Sequence, residues 1–224
     1  MPDLNGSEPR SPEPPVISPV VLPDLTDTSA SEVHDGDQRE AERYEAGDFA
    51  GADLEFTSFS ACTFHRCDLD GARLRGAHFA EVTLAELDLA ELAAPRSSWR
   101  SVRVTGSRIG AAELYESHWR SVEISGSKLG YLNARTAVWQ DVIFRDCVID
   151  ELDLGSATIS RLAFDGCEIR TLDVTRARCT DVDLRGAQLH AIKGLGGLAG
   201  TWITDHQLLE LAPLLAAHLK IDVG

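Results

Sequence analysis

Between Phe49 and Leu189 an uncharged residue returns every five positions, 29 times in a row, with no insertion or deletion. The series opens Phe49, Leu54, Phe59, Phe64 and closes Val174, Cys179, Leu184, Leu189. Two positions before each of these centres stands a small or aliphatic residue, as in ADLEF (52–56), CDLDG (67–71), VEISG (122–126) and VDLRG (182–186). A period of five fits neither a helix, which repeats at 3.6, nor a lone strand, which alternates at 2. It fits a chain that turns a corner every fifth residue, four short sides to a coil, with the centre and the residue two before it both pointing inward. Coils then stack about 4.8 Å apart through backbone hydrogen bonds. Each coil buries its apolar face only against its neighbours, which is the definition of a solenoid. Counted this way, the frame makes a little over seven coils, a rod roughly 35 Å long.

Within the frame, SSWRSVRVTGS (97–107), SHWRSVEISGS (117–127) and AVWQDVIFRDC (137–147) repeat at twenty residues. Centres twenty apart share one side of successive coils, so that side reads Phe59, Phe79, Trp99, Trp119, Trp139, Ile159, Cys179. The residues two before them are small: Thr57, Ala77, Ser97, Ser117, Ala137, Ala157, Ala177. Large against small conserves volume, as a close-packed interior requires. The trade reverses where Leu92 precedes Ala94 and Leu132 precedes Ala134. The tryptophans are therefore expected to form an aromatic ladder in the core and not a ligand platform.

The pattern of a small residue, Asp, Leu or Phe, then two free positions resembles the pentapeptide-repeat proteins; ADLEF, CDLDG and LDLAE (87–91) match it closely, while LAAPR and ARCTD depart at the centre. The resemblance implies an all-β solenoid, a right-handed quadrilateral β-helix, over about two-thirds of the chain.

Outside the frame the composition changes. Residues 1–46 hold most of the prolines, with eleven acidic and three basic residues. Such a composition favours an acidic, Pro-rich disordered tail, with DQREAERYEA (37–46) as a short helix at its end. The N-terminus lacks the basic start and apolar run of a signal peptide. Past Ala191 the frame fails, and residues 192–224 read as a linker and a helical cap. Thr204 with Gln207 makes a capping box, Leu208, Leu211, Leu215 and Leu219 fall on one helical face, and Pro213 is expected to kink or split the helix. That helix could cover the open end of the rod or pair two rods.

The sequence offers little chemistry. All five cysteines sit at inward positions (Cys62, Cys67, Cys147, Cys167, Cys179), where thiols behave as small hydrophobes. Cys147 and Cys167 lie on adjacent coils, so a disulfide is conceivable, but core filling is the stronger reading. His78 and His118 share a column two coils apart, too far to hold one metal. GLGGLA (194–199) fits a loose dinucleotide fingerprint without the surrounding βαβ unit, and reads as a flexible turn. No catalytic motif, cofactor or metal site is expected; cysteine usage and the lack of a membrane-length apolar run suit a cytoplasmic protein.

What remains is the surface. The net charge of −15 disfavours direct nucleic-acid binding and suits a basic partner or imitation of an anion, and no membrane partner is expected. The charge is banded: net −6 over residues 47–91, +3 over 92–146 and −3 over 147–191. Asp48, Asp68 and Asp88 form a column, with Asp70 beside it and Asp53 on the next side, as the candidate partner-binding surface. Asp is also simply the residue the repeat favours before its centre. Arg100 and Arg120 stack in an exposed position, where they could pair with acids across coils or receive the acidic tail. The family resemblance implies an acidic, dimeric DNA mimic that occupies DNA gyrase or another type II topoisomerase, with possible protection from quinolones. The unbroken, loop-less frame resembles the mycobacterial gyrase-inhibiting type more than the plasmid-borne quinolone-resistance type. The alternative is a general protein-interaction scaffold.

Overall fold

The computed structural model describes residues 11–222. It is a parallel β-solenoid closed at one end by a helix. Neighbouring coils pair in register at a stagger of twenty residues: Trp99 with Trp119, Trp119 with Trp139, Ile109 with Leu129. Two adjoining sides share a thirteen-stranded sheet, a third carries a six-stranded sheet, and the fourth closes through turns such as Leu114 N–H to the Asn133 carbonyl.

The residue two after the centre makes the corner. At most corners its φ is positive even where it is not glycine, as at Ser101, Ser121, Asp141 and Arg161 (55°, 59°, 58° and 51°). A non-glycine residue in this region costs on the order of 1 kcal/mol or more. The coil above and below fixes each corner amide, for example Glu81 N–H on the Arg100 carbonyl at 2.9 Å, so the ladder holds the conformation that an isolated residue would avoid. The interior is as the spacing implied. Phe59, Phe79, Trp99, Trp119 and Trp139 are buried, with successive ring centroids 5.6, 4.6, 5.4 and 4.5 Å apart. All five cysteines are free. The hydrogen bond to Cys167 and burial push the Cys147 thiol far up, and burial pushes Cys179 up to about 11.

The rod is longer than the sequence frame. Ten strands follow one another along one side, from Thr26–Asp27 to Thr201–Trp202, enclosing about nine coils where seven were expected. At the N-terminal end, Gln38–Glu40 pairs with Ser58–Ser60, and Glu42–Glu45 joins the ladder through Tyr44 opposite Phe64. The helix expected over residues 37–46 is therefore two strands, and the described part of the expected disordered tail is ordered. Residues 1–10 of that tail lie outside the described residues. The frame was hidden because Arg39 occupies a centre. Its guanidinium donates to Glu42 at 2.9 Å, and Glu42 also accepts from the Tyr44 hydroxyl, so a paired charge and a buried tyrosine close this end of the core. The bond to Glu42 raises the Arg39 pKa, and burial followed by the same carboxylate raises that of Tyr44.

Upstream, residues 11–25 run as an extended strap along the corner column of Ser121 and Asp141. Val16 N–H donates to Asp141 Oδ1 at 2.9 Å and Ser18 N–H to Ser121 Oγ at 2.7 Å. Five of these fifteen residues are proline (12, 14, 15, 19 and 23), which fixes φ and removes the donors a ladder would need.

At the other end, Ala187–Lys193 stays in the ladder and Thr201–Trp202 pairs with Val182–Asp183 at a stagger of nineteen, one residue short. GLGGLAG is thus a packed end turn and not a flexible one. At Gly197 a Cβ would lie 1.8 Å from the Val174 carbonyl oxygen, so only glycine fits. Helix α1 (Asp205–His218) follows as one piece, unsplit, with Pro213 inside it and the Thr204–Gln207 capping box formed.

Candidate partner-binding surface

Asp48, Asp68 and Asp88 stand in one column of one side, all exposed, with Asp48 bridged directly to Asp68. Asp48 Oδ1 accepts from Ala50 N–H at 3.0 Å and Asp68 Oδ1 from Asp70 N–H at 2.9 Å. Asp48 and Asp68 thus each close a local turn with one oxygen. Among the described residues none of these three has an ion-pair partner, although Arg108 is the register neighbour of Asp88 on the next coil.

The other two expected members differ. Asp70 is half-buried, and its Oδ1 accepts from Glu91 N–H at 2.9 Å, so it braces the next coil. Asp53 is held by Arg73, which lowers its pKa and cancels its charge locally. The candidate set therefore contains three free carboxylates, one structural and one neutralised.

Sequence reasoning missed the acids of the first coils. Residues 26–46 contribute Asp27, Glu32, Asp35, Asp37, Glu40, Glu42 and Glu45 to the solenoid, against Arg39 and Arg43. Counting the five-residue frame back through Tyr44 and Arg39 would have found them. Residues 26–91 together hold sixteen acidic and five basic residues, net −11. One cluster there is paired: His65 lies between Glu45 (2.8 Å) and Glu86 (3.4 Å), and Arg66 meets Glu86 at 2.8 Å. Glu45, then Glu86, raise the pKa of His65.

In the middle of the rod Arg100 and Arg120 stack as exposed register neighbours. Arg100 reaches Glu81 at 3.8 Å. The strap lies on the adjoining corner, where, among the described residues, its hydrogen bonds to the middle of the rod go to Ser121 and Asp141 and not to those arginines.

The helix divides the expected leucine stripe. Gln207 and Leu211 are buried against the rod and Leu215 is half-buried, while Leu208 and Leu219 are 48% and 65% exposed. Gln207 Nε2 donates to the Leu184 and Ala187 carbonyls at 2.8 Å each, capping the last coil. Leu209, Leu214 and Ile221 add to the exposed apolar surface.

The family model for pentapeptide repeats matches residues 48–90 in eight copies. Residues 48–90 are a run of pentapeptide repeats. Among solved structures the chain is similar to full-length QnrB1, a plasmid-mediated fluoroquinolone resistance protein, at 19% identity and TM-score 0.40 over 84% of this chain and 94% of that one. It is similar to HetL, a pentapeptide-repeat protein involved in heterocyst differentiation regulation from the cyanobacterium Nostoc sp. strain PCC 7120, at 18% identity and TM-score 0.39 over 76% and 91%. No curated protein matches by sequence. These likenesses are too distant to carry a partner or an activity across. Among the described residues no cluster of three or more His, Cys, Asp or Glu is placed to hold a metal, and no helix is long and apolar enough to cross a membrane.

Proposed function

We propose that this protein is a non-enzymatic binding protein whose acidic N-terminal coils imitate duplex DNA on a type II topoisomerase, with DNA gyrase the first candidate. The observation that carries the reading is charge density. The net −11 of residues 26–91 is spread over about three and a third coils. At coil spacing that is roughly 16 Å of axis, one net charge per ~1.5 Å, against ~1.7 Å for duplex DNA. Asp48, Asp68 and Asp88 are among the carboxylates of that surface that have no ion-pair partner among the described residues. The exposed leucines of α1 suit a second copy of the chain, which would place an acidic end at each extremity of a longer rod. A general scaffold role is favoured by one feature: residues 92–146 are net +3, which duplex DNA never is.

The test is gyrase supercoiling with the purified protein titrated in, with and without a fluoroquinolone. Inhibition or drug protection that weakens in Asp68→Lys with Asp88→Lys supports the mimic. No effect up to high micromolar protein refutes it and leaves the scaffold reading. For the dimer, Leu208→Glu with Leu219→Glu should lower the solution mass to that of one chain, since neither residue is buried in the rod.

A further inference from the structure

The strap lies over one corner of the rod from Asp141 to Ala41, and so crosses the acidic coils as well as the middle ones. Its residues that face the rod are half-buried at Pro12, Pro15, Ile17, Val20, Leu22 and Leu25, alternating in steps of three and two, while Val16 and Val21 between them are 66% and 67% exposed. That spacing lies between a polyproline helix and a strand. From Ser18, bonded at Ser121, to Thr26, bonded at Ala41, eight residues pass four coils. Four coils are about 19 Å, within the ~25 Å reach of eight residues in extended polyproline geometry. The strap therefore runs along the rod axis, across the strands, and belongs to no sheet.

The strap covers the corner it crosses. Corner residues in the neighbouring column (Arg66, Glu86, Gly106, Gly126, Asp146) are exposed, but Ser101, Ser121 and Asp141 are only 9%, 6% and 5% exposed. Ile143, an outward-facing residue between Glu123 and Ala163 in its column, is 8% exposed as well. Asp141 is gripped by Arg161 through both oxygens at 2.6 and 2.7 Å, which aims Oδ1 at the incoming Val16 N–H. Burial acts to raise the Asp141 pKa, but Arg161 and then Val16 outweigh it and lower it, so an acceptor stands ready on the corner. The ladder bonds of the coils are complete without the strap, since they run between coils twenty residues apart.

We propose that this corner, from Ser101 through Ser121 and Asp141 to Arg161, is a docking groove for an extended, proline- and aliphatic-rich segment of a partner protein, and that the first part of the strap, about residues 12–20, is its resident occupant, displaced when the partner binds. Recognition uses two backbone N–H donors separated by one residue, aliphatic side chains at alternating steps of three and two, and prolines that hold the segment extended before it binds and so lower the ordering cost. The strap's charged residues are Glu13 and Asp24, and Glu13, after Asp141, acts to raise the pKa of Arg161, so an acidic residue shortly before the bonded N–H groups suits this groove.

The experiment uses the full chain. Hydrogen exchange at the Val16 and Ser18 amides should be slower than in a free peptide of residues 11–25 by about tenfold or more. A fluorescein-labelled 11–25 peptide should bind a full chain whose strap is weakened by Ile17→Asp with Val20→Asp, and bind wild type at least about tenfold more weakly because the groove is filled. Asp141→Ala in the weakened chain should reduce peptide binding, with circular dichroism and thermal melting confirming an intact rod. Free-peptide exchange rates at Val16 and Ser18 would overturn the proposal. So would a weakened chain that ignores the peptide, or one that binds a scrambled peptide of the same composition equally well.

Discussion

Gln207 joins helix α1 to the rod through two hydrogen bonds and closes the helix's capping box with a third, and its replacement gives a sharp test of how the solenoid end is closed. Nε2 donates to the carbonyls of Leu184 and Ala187, and Oε1 accepts from Thr204 N–H, each at 2.8 Å. The residue is 8% exposed, so the groups it satisfies have no ready access to water. At ~1 kcal/mol net per bond, Gln207→Ala should cost about 3 kcal/mol, concentrated in the helix and the last coil. Gln207→Glu separates the two roles. The carboxylate keeps the capping box but cannot donate, so it forfeits two bonds, about 2 kcal/mol, and sets a negative charge against two carbonyl oxygens. Hydrogen exchange across α1 reads this directly, because a terminal helix can open without unfolding the rod. Both variants should accelerate exchange in residues 205–218 by roughly thirtyfold or more, with the aromatic ladder unchanged. If Gln207→Glu exchanges like wild type, the two lid bonds contribute nothing and the closure argument fails.

Two further outcomes follow from the same hydrogen-bond accounting. Trp99 Nε1–H donates to Ser97 Oγ at 2.7 Å, whereas Trp119 Nε1 and Ser117 Oγ, the same pair one coil on, are both without partners. Ser97→Ala should therefore lower stability by about 1–2 kcal/mol, and Ser117→Ala should be neutral or stabilising, measured by denaturant melts; equal losses would contradict this. The raised pKa of His65 sets a pH dependence. Its pairing with Glu45 and Glu86 adds stability that is fully present below the unfolded histidine pKa and is lost as pH rises through the higher folded value. The melting difference between wild type and His65→Gln should be larger at pH 5 than at pH 9, and a difference independent of pH would refute the pairing.

The repeat was legible wherever its centres stayed uncharged. Where a centre is Arg39, the frame continues, but the physical reason it can, the Glu42 carboxylate and the Tyr44 hydroxyl gathered around the guanidinium, exists only once the coils are stacked. The missing residue of the last coil was illegible for a similar reason: Gly197 is required there by its close approach to the Val174 carbonyl, a contact made only once the coils are stacked. Among the candidate acids, the column of Asp48, Asp68 and Asp88 followed from the period alone. That Asp53 is cancelled by Arg73 and Asp70 spent on Glu91 N–H did not, because side chains choose partners across coils.

By itself, the sequence determined the solenoid, its inward positions and its aromatic ladder, since a period of five leaves the chain one way to bury its centres. The tertiary structure alone decided where the rod begins and ends, which leucines of α1 stay exposed, and that a proline-rich segment lies docked along a corner. Composition marks such a segment as unable to build a core of its own, and that is correct; it cannot say that a groove made of residues 80 to 150 positions away will supply the missing surface.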